Sequence, residues 1–324
     1  MRILKRLAIL APIALVVLGG TVLLPWYSVG PGPAREIQPL IQVEGHPEYP
    51  STGRFVMTSI RFDRLTPFGA FFAWIDPHRA VVPRSELFAP GQTPKQERQR
   101  AISLMDQSKL DATYVTLSEL TGYPKEHRRG ALVEGVVEGC AADGELYPGD
   151  LILAIDRRPI RGTADASRAI EAAPPGSTLA FDVRAGGERH HIDLVREPCG
   201  GGEEALVGVS LIPNFPFGVE IESGGVGGSS AGLMWALGLY DLLTPGDLTA
   251  GRTVAGTGEI GLDGTVHAIG GIGEKIVAAE RAGAALFLVP QDNLEEAAAA
   301  GGDGMDLVAV STFADALAYL ERQA

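Results

Sequence analysis

Apolar and polar positions change their period several times along the chain, and each change marks an element. Residues 7–25 (LAILAPIALVVLGGTVLLP) run for 19 positions without a charge. At about 1.5 Å per helical residue they cover roughly 28 Å, close to the ~30 Å of a hydrocarbon core, so the pattern predicts a transmembrane helix. Trp26 and Tyr27 follow it, where amphipathic rings favour the far interface. Residues 28–35 (SVGPGPAR) are dense in Gly and Pro and read as a rigid, unstructured stalk. Next, 54–62 (RFVMTSIRF) alternates as a strand does, and 94–110 is a polar, helix-compatible stretch.

Over 130–195 the signals come faster. A β-rich run (GALVEGVV) leads through small residues and a Pro148-Gly149-Asp150 turn to a second apolar strand, LILAI. ADASRAIEAA is a helix stopped by Pro174-Pro175, and two strands then flank a Gly-Gly hairpin. From 208 the strands VGVSLI and FGVEIES precede a glycine-rich run, Ser229, Ser230 and the apolar helix AGLMWAL. A hairpin turn at 262–265, a helix carrying Lys275, the strand LFLVP and a final helix complete the pattern.

Composition changes the picture in three places. An apolar fraction of 45% excludes wholesale disorder. The first 34 residues hold Arg2, Lys5 and Arg6 and no acid, leaving 24 basic against 40 acidic residues, a charge of −16, on the remainder. Such a body repels a phosphate backbone, which argues against nucleic acid, while the basic start should stay cytoplasmic and leave the body outside. Residues 1–6 are therefore a cytoplasmic tail, and a retained anchor is favoured over a cleaved signal because no small-x-small site follows the apolar run. Two cysteines, Cys140 and Cys199, build neither a disulfide framework nor a four-thiolate zinc site; outside the cytoplasm they either pair or stay as buried thiols. No metal or cofactor is called for. Finally, 22 of the 27 basic residues are Arg, and Lys275 is the single lysine in the 199 residues after Lys125. Only lysine can lose its proton on burial, so Lys275 is a candidate for chemistry.

A glycine-rich loop entering a helix presents free N–H groups and the positive end of the helix dipole, a setting for an anion that includes an acyl-transfer oxyanion. Ser229 and Ser230 sit there, although a serine is also an ordinary helix cap. Lys275 lies at the edge of an apolar face made by Ile276, Ala279 and Gly283, and a solvated charge beside Glu274 is its ordinary reading. Gly256-x-Gly258-x-x-Gly261 fits a dinucleotide fingerprint on paper, but a hairpin turn follows where that motif needs a helix.

The 130–195 stretch, with Leu146-Tyr-Pro-Gly149-Asp150-Leu-Ile152, resembles a bacterial PDZ domain. The resemblance implies a groove taking an extended peptide by strand addition beside Gly130, Ala131 and Leu132. Downstream, Ser230-Ala231-Gly232, Thr257-Gly258-Glu259-Ile260 and Ile269-Gly270-Gly271-Ile-Gly-Glu274-Lys275 stand in order within 46 residues and resemble the proteolytic domain of the Lon family. The order of anchor, PDZ and Lon-like body is similar to the bacterial YlbL type. One departure is Gly227-Gly228-Ser229 where the family usually has a proline before the serine.

The resemblance implies a Ser230 nucleophile, a neutral Lys275 as base, Thr257 holding the amine, and an oxyanion loop at Gly227, Gly228 and Ser229. The expected protein is α+β, with a transmembrane helix at 7–25, a stalk and first part of the protease body at 26–127, a PDZ domain at 128–197 and a Lon-like domain at 198–324. The 54–62 strand is expected to belong to the body, with the PDZ domain inserted after it. No Gly-x-x-x-x-Gly-Lys-Ser/Thr is present, so the expected activity is ATP-independent cleavage of exported or membrane-associated proteins, in a ring such as a hexamer. Two rival readings are an inactive peptide-binding PDZ adaptor and, from the Gly-Val-Gly-Gly-Ser-Ser-Ala loop, a small-molecule kinase of the galactokinase and homoserine kinase type.

Overall fold

The computed structural model describes residues 15–88, 91–302 and 304–324. Of the expected membrane span, 7–14 lies outside the described residues. Residues 15–21 are helical, 22–24 leave the helix, and among the described residues no helix is long and apolar enough to cross a membrane. The expected stalk is folded instead. Strand β1 (Trp26–Pro31) is followed by β2 (Arg35–Glu36), β3 (Ile41–Glu44), β4 (Arg54–Met57) and β5 (Ile60–Arg64). β1 pairs on one side with β5, Val29 opposite Phe62, and on the other with the later strand β6 (Ala80–Pro83). Gly and Pro gave this segment no local preference for a strand, but two long-range partners satisfy its backbone. Tyr27 accordingly lies buried against Phe88 rather than at an interface, and only Trp26 stays exposed.

Between β5 and β6 runs helix α1 (Pro67–Ile75), started by Thr66, whose hydroxyl accepts from the Gly69 amide. A short helix α2 (Arg84–Leu87) follows β6. The polar stretch forms helix α3 (Pro94–Leu120), ten residues longer than expected; Thr93 and Gln96 close its start as a capping box.

Next come β7 (Arg128–Val136), β8 (Leu151–Ile155), β9 (Arg158–Pro159), α4 (Thr163–Glu171), β10 (Thr178–Ala185) and β11 (Glu188–Val195). Two short strands, β12 (Glu197–Pro198) and β13 (Ala205–Leu206), precede β14 (Val209–Asn214). The sheet order is β11-β10-β8-β7-β14, with β9 on β8. This sheet reaches past the boundary expected at 197, because β14 completes it. Ile152, Ile155, Phe181 and Val183 form its separate core.

The body continues with β15 (Gly218–Ile221), α5 (Gly232–Leu243), β16 (Thr253–Gly256), β17 (Glu259–Ile260), β18 (Val266–His267), α6 (Ile272–Arg281), β19 (Leu286–Pro290), α7 (Leu294–Ala299), β20 (Asp306–Val310) and α8 (Phe313–Glu321). Its main sheet has the order β2-β4-β16-β19-β20, and β4 runs parallel to β16 with Phe55 opposite Val254. The first half of RFVMTSIRF thus joins strands some 200 residues downstream. α5 is apolar but for Tyr240 and the buried Asp241, whose Oδ1 accepts from the Leu248 amide, and it is buried almost throughout: Leu233, Met234, Trp235, Ala236 and Leu237 are fully enclosed by the sheet, α3 and α8. The fixed start of this helix positions the glycine-rich loop.

Candidate active site

Ser230 stands two residues before α5. The helix is capped by Ala231 with no side-chain hydrogen bond, so Ser230 is not a capping serine. Its backbone is clamped: the Ser230 carbonyl accepts from the Gly258 amide at 2.8 Å and from the Thr257 hydroxyl at 2.9 Å, and the Gly258 carbonyl accepts from Leu233 N–H at 3.1 Å. Gly258 has φ +155, and a Cβ there would lie 2.6 Å from Val266, so the close approach requires glycine. The hairpin of β17 and β18 that follows is the feature that rules out a dinucleotide-binding helix at this loop.

Lys275 enters from the first turn of α6 and is 2% exposed. Its Nζ donates to Ser230 Oγ at 2.6 Å and to Thr257 Oγ1 at 2.9 Å. No carboxylate pairs with it among the described residues, Glu274 included. Burial alone pulls its ammonium down from the ordinary 10.5 to about 8. The residue is therefore not a solvated helix charge. An amine that releases its proton near neutrality, in contact with one hydroxyl and steadied by a second, is equipped to take a proton from Ser230. His267 is exposed on β18 and makes no hydrogen bond to Ser230.

Of the three expected oxyanion positions, Gly228 departs from expectation. Its N–H is spent on the Ala101 carbonyl of α3 at 2.8 Å, and Gly227 lies tight against the same residue. The amides of Ser229, Ser230 and Ala231 have no acceptor among the described residues. Ser229 has a positioning contact of its own: its hydroxyl donates to Glu259 Oε2 and its carbonyl accepts from Ser108 Oγ at 2.8 Å. Neither Ser108 nor the Ala101 carbonyl carries a motif, and both act through α3, more than 100 residues upstream of the loop. Ser230 and Lys275 open onto a cleft of about 690 Å³ whose apolar wall includes Met57, Ile60, Phe62, Leu104 and Met105.

Behind Ser229 lies a carboxylate cluster that the sequence did not announce. Asp111 on α3 is buried and leaves Oδ1 without a partner among the described residues. Burial, with Glu134 of β7 and Glu259 nearby, pushes its carboxyl up from 3.8 to about 8. Glu134 in turn accepts from Gln107. The cluster joins the PDZ strand β7 to the loop that carries Ser229.

The peptide site expected beside Gly130, Ala131 and Leu132 is corrected by the sheet. β7 is paired on both sides: Ala131 stands opposite Ile152 on β8 and Pro213 on β14, so no edge is free for another strand. The edge strands are β11 and β14, and a cleft of about 240 Å³ separates β14 from α4, lined by Ser167, Ile170, Val209 and Leu211. Cys140 and Cys199 are joined in a disulfide, which ties the loop after β7 to the turn between β12 and β13 at one end of this cleft.

The sequence pattern of the Lon protease (S16) C-terminal proteolytic domain matches residues 219–320, and that of a PDZ domain matches 132–184. The chain carries a Lon-type serine peptidase domain and a PDZ domain. Lon protease 2 of Bacillus subtilis (strain 168) is 38% identical over 104 residues, 32% of this chain and 17% of that protein. The Lon protease of Citrifermentans bemidjiense is 30% identical over 183 residues, 56% of this chain and 21% of that protein. This chain thus spans about a fifth of the length of these relatives. Among solved structures, the PDZ domain of an SdrC-like protein from Listeria monocytogenes is 22% identical, covering 25% of this chain and 86% of that one with a TM-score of 0.24.

Proposed function

We propose that the chain is an ATP-independent serine endopeptidase with a Ser230–Lys275 dyad. The observation that carries this reading is the buried Lys275 amine, 2.6 Å from Ser230 Oγ and without a carboxylate partner. In its neutral form Lys275 accepts the Ser230 proton as Oγ attacks a peptide carbonyl, and Thr257 holds the amine in line. The tetrahedral oxyanion faces the open amides of Ser229, Ser230 and Ala231 at the head of α5. Lys275 then gives its proton to the leaving amine, and the same group activates the water that releases the acyl-enzyme.

Substrates are exported or membrane-associated polypeptides. The run of uncharged residues at 7–25 behind Arg2, Lys5 and Arg6 supports a single-pass anchor with the body outside, and the Cys140–Cys199 disulfide suits an oxidising compartment. The β14–α4 cleft takes an extended segment of the substrate and delivers it. A ring of subunits, such as a hexamer, accords with the Lon resemblance.

Hydrolysis of an unstructured polypeptide tests the assignment. Ser230→Ala should lose more than about 10³-fold in kcat, while Ser229→Ala keeps measurable turnover. The reverse ranking would move the nucleophile to Ser229 and remove Lys275 from the chemistry.

A further inference from the structure

Helix α1 (PFGAFFAWI) carries no charge and buries only Ala73. Phe71, Phe72 and Ile75 are more than half exposed, and Trp74 is 78% exposed. An apolar helix is normally enclosed, as α5 is here, so an uncovered one marks a surface made for an apolar partner. Three observations identify that partner. First, the helical segment 15–21 lies against α1: a Cβ on Gly19 would be 2.7 Å from the Phe68 ring, and Leu15–Leu18 share its exposure. The apolar run proposed as the anchor therefore ends on this helix. Second, the exposed side chains are Phe and Trp, which settle at the headgroup boundary of a bilayer. Third, 67–75 is neutral and its charged neighbours lie outside it, Asp63 and Arg64 before the helix and the Asp76–Arg79 ion pair after it, so nothing charged interrupts the apolar surface.

We propose that α1 is an interfacial helix that lies in the bilayer surface and seats the cleft beside the membrane. This rests on the anchored reading above. β5 links the two regions: Ile60 and Phe62 line the cleft, α1 begins five residues after Phe62, and Arg64 between them donates to the Leu24 carbonyl. Five extended residues reach at most about 17 Å. The substrate class that follows is the juxtamembrane segment of an integral membrane protein, which reaches the cleft as a short extended stretch beside its span.

The test uses the full chain reconstituted in phosphatidylcholine–phosphatidylglycerol vesicles, with bromine placed near the headgroup in one set of lipids. Trp74 is read as the emission lost in Trp74→Phe. That component should be blue-shifted and quenched by the shallow bromine. A protein that resists an alkaline carbonate wash while Trp74 stays unquenched overturns this proposal and leaves the anchor standing. Release by the wash overturns both. A triple variant, Phe71→Glu, Phe72→Glu and Trp74→Glu, should cut a vesicle-embedded substrate several-fold more slowly and a soluble peptide at the unchanged rate, which also reports that it is folded. If the triple variant instead changes the sedimenting species of the detergent-solubilised protein and Trp74 is unquenched, a second copy covers α1 and the proposal fails.

Discussion

Replacing Lys275 by methionine should abolish hydrolysis and yet stabilise the protein. Folding pulls this amine from 10.5 to about 8, which at about 1.4 kcal/mol per pKa unit is a penalty of about 3 kcal/mol whenever the solution holds the lysine protonated. Methionine is an unbranched apolar chain that fits the same space. Its introduction forfeits the hydrogen bonds to Ser230 and Thr257, about 1 kcal/mol each, but Ser230 Oγ is open to water and Thr257 keeps its bond to the Ser230 carbonyl. The balance near pH 6 is a gain of about 1–2 kcal/mol. The pH dependence follows from the direction of the shift. Below about 8 both folded and unfolded lysines are charged, and the wild type carries the whole penalty. Between about 8 and 10.5 the unfolded chain still binds the proton that the folded one has released, so wild-type stability rises with pH and the advantage of methionine disappears. Urea unfolding at both ends of that range measures it; the midpoint near pH 6 should rise by roughly 0.5–1 M. A methionine variant that is less stable at pH 6, by an amount independent of pH, would show that Lys275 is a paired structural cation and not an amine held ready to deprotonate.

Two further outcomes concern the parts around the site. Asp111 is protonated in the fold below about 8 but ionises above 3.8 when unfolded, so stability should fall as pH rises across that window; Asp111→Asn should flatten the fall and exceed the wild type at pH 8 by a few kcal/mol in denaturant titration. Ser167→Trp fills the β14–α4 cleft and should slow cleavage of tailed proteins several-fold while short peptides are cut as before, whereas equal losses on both would remove the cleft from delivery.

The three motifs singled out Ser230, Thr257 and Lys275, each at a local turn or helix start, and the fold brings these side chains within hydrogen-bond distance. The apolar runs likewise announced α5 and most of the PDZ strands. Contacts made across the chain were not legible. β1 looked like a stalk because Gly and Pro leave no period, and it folds only because β5 and β6 accept its backbone. Gly228 seemed free for an oxyanion until Ala101 of α3 took its amide. β7 was expected to take the peptide, yet β14, from beyond the expected boundary, pairs with its second side and becomes an edge of the sheet in its place. Asp111 reads as one more acid in a long polar helix; only its burial beside Glu134 and Glu259 sets it apart. α1, nine residues long, is too short to draw notice as a membrane element by length.

The dyad is tested most directly by labelling the full chain with a fluorophosphonate across pH 6 to 10 and locating the adduct by mass spectrometry, in the wild type and in Lys275→Arg. The account predicts modification at Ser230, a rate that rises with pH through about 8, and no modification in the arginine variant, since guanidinium does not surrender its proton. An adduct on Ser229, or a Lys275→Arg protein that labels at the wild-type rate, would contradict it.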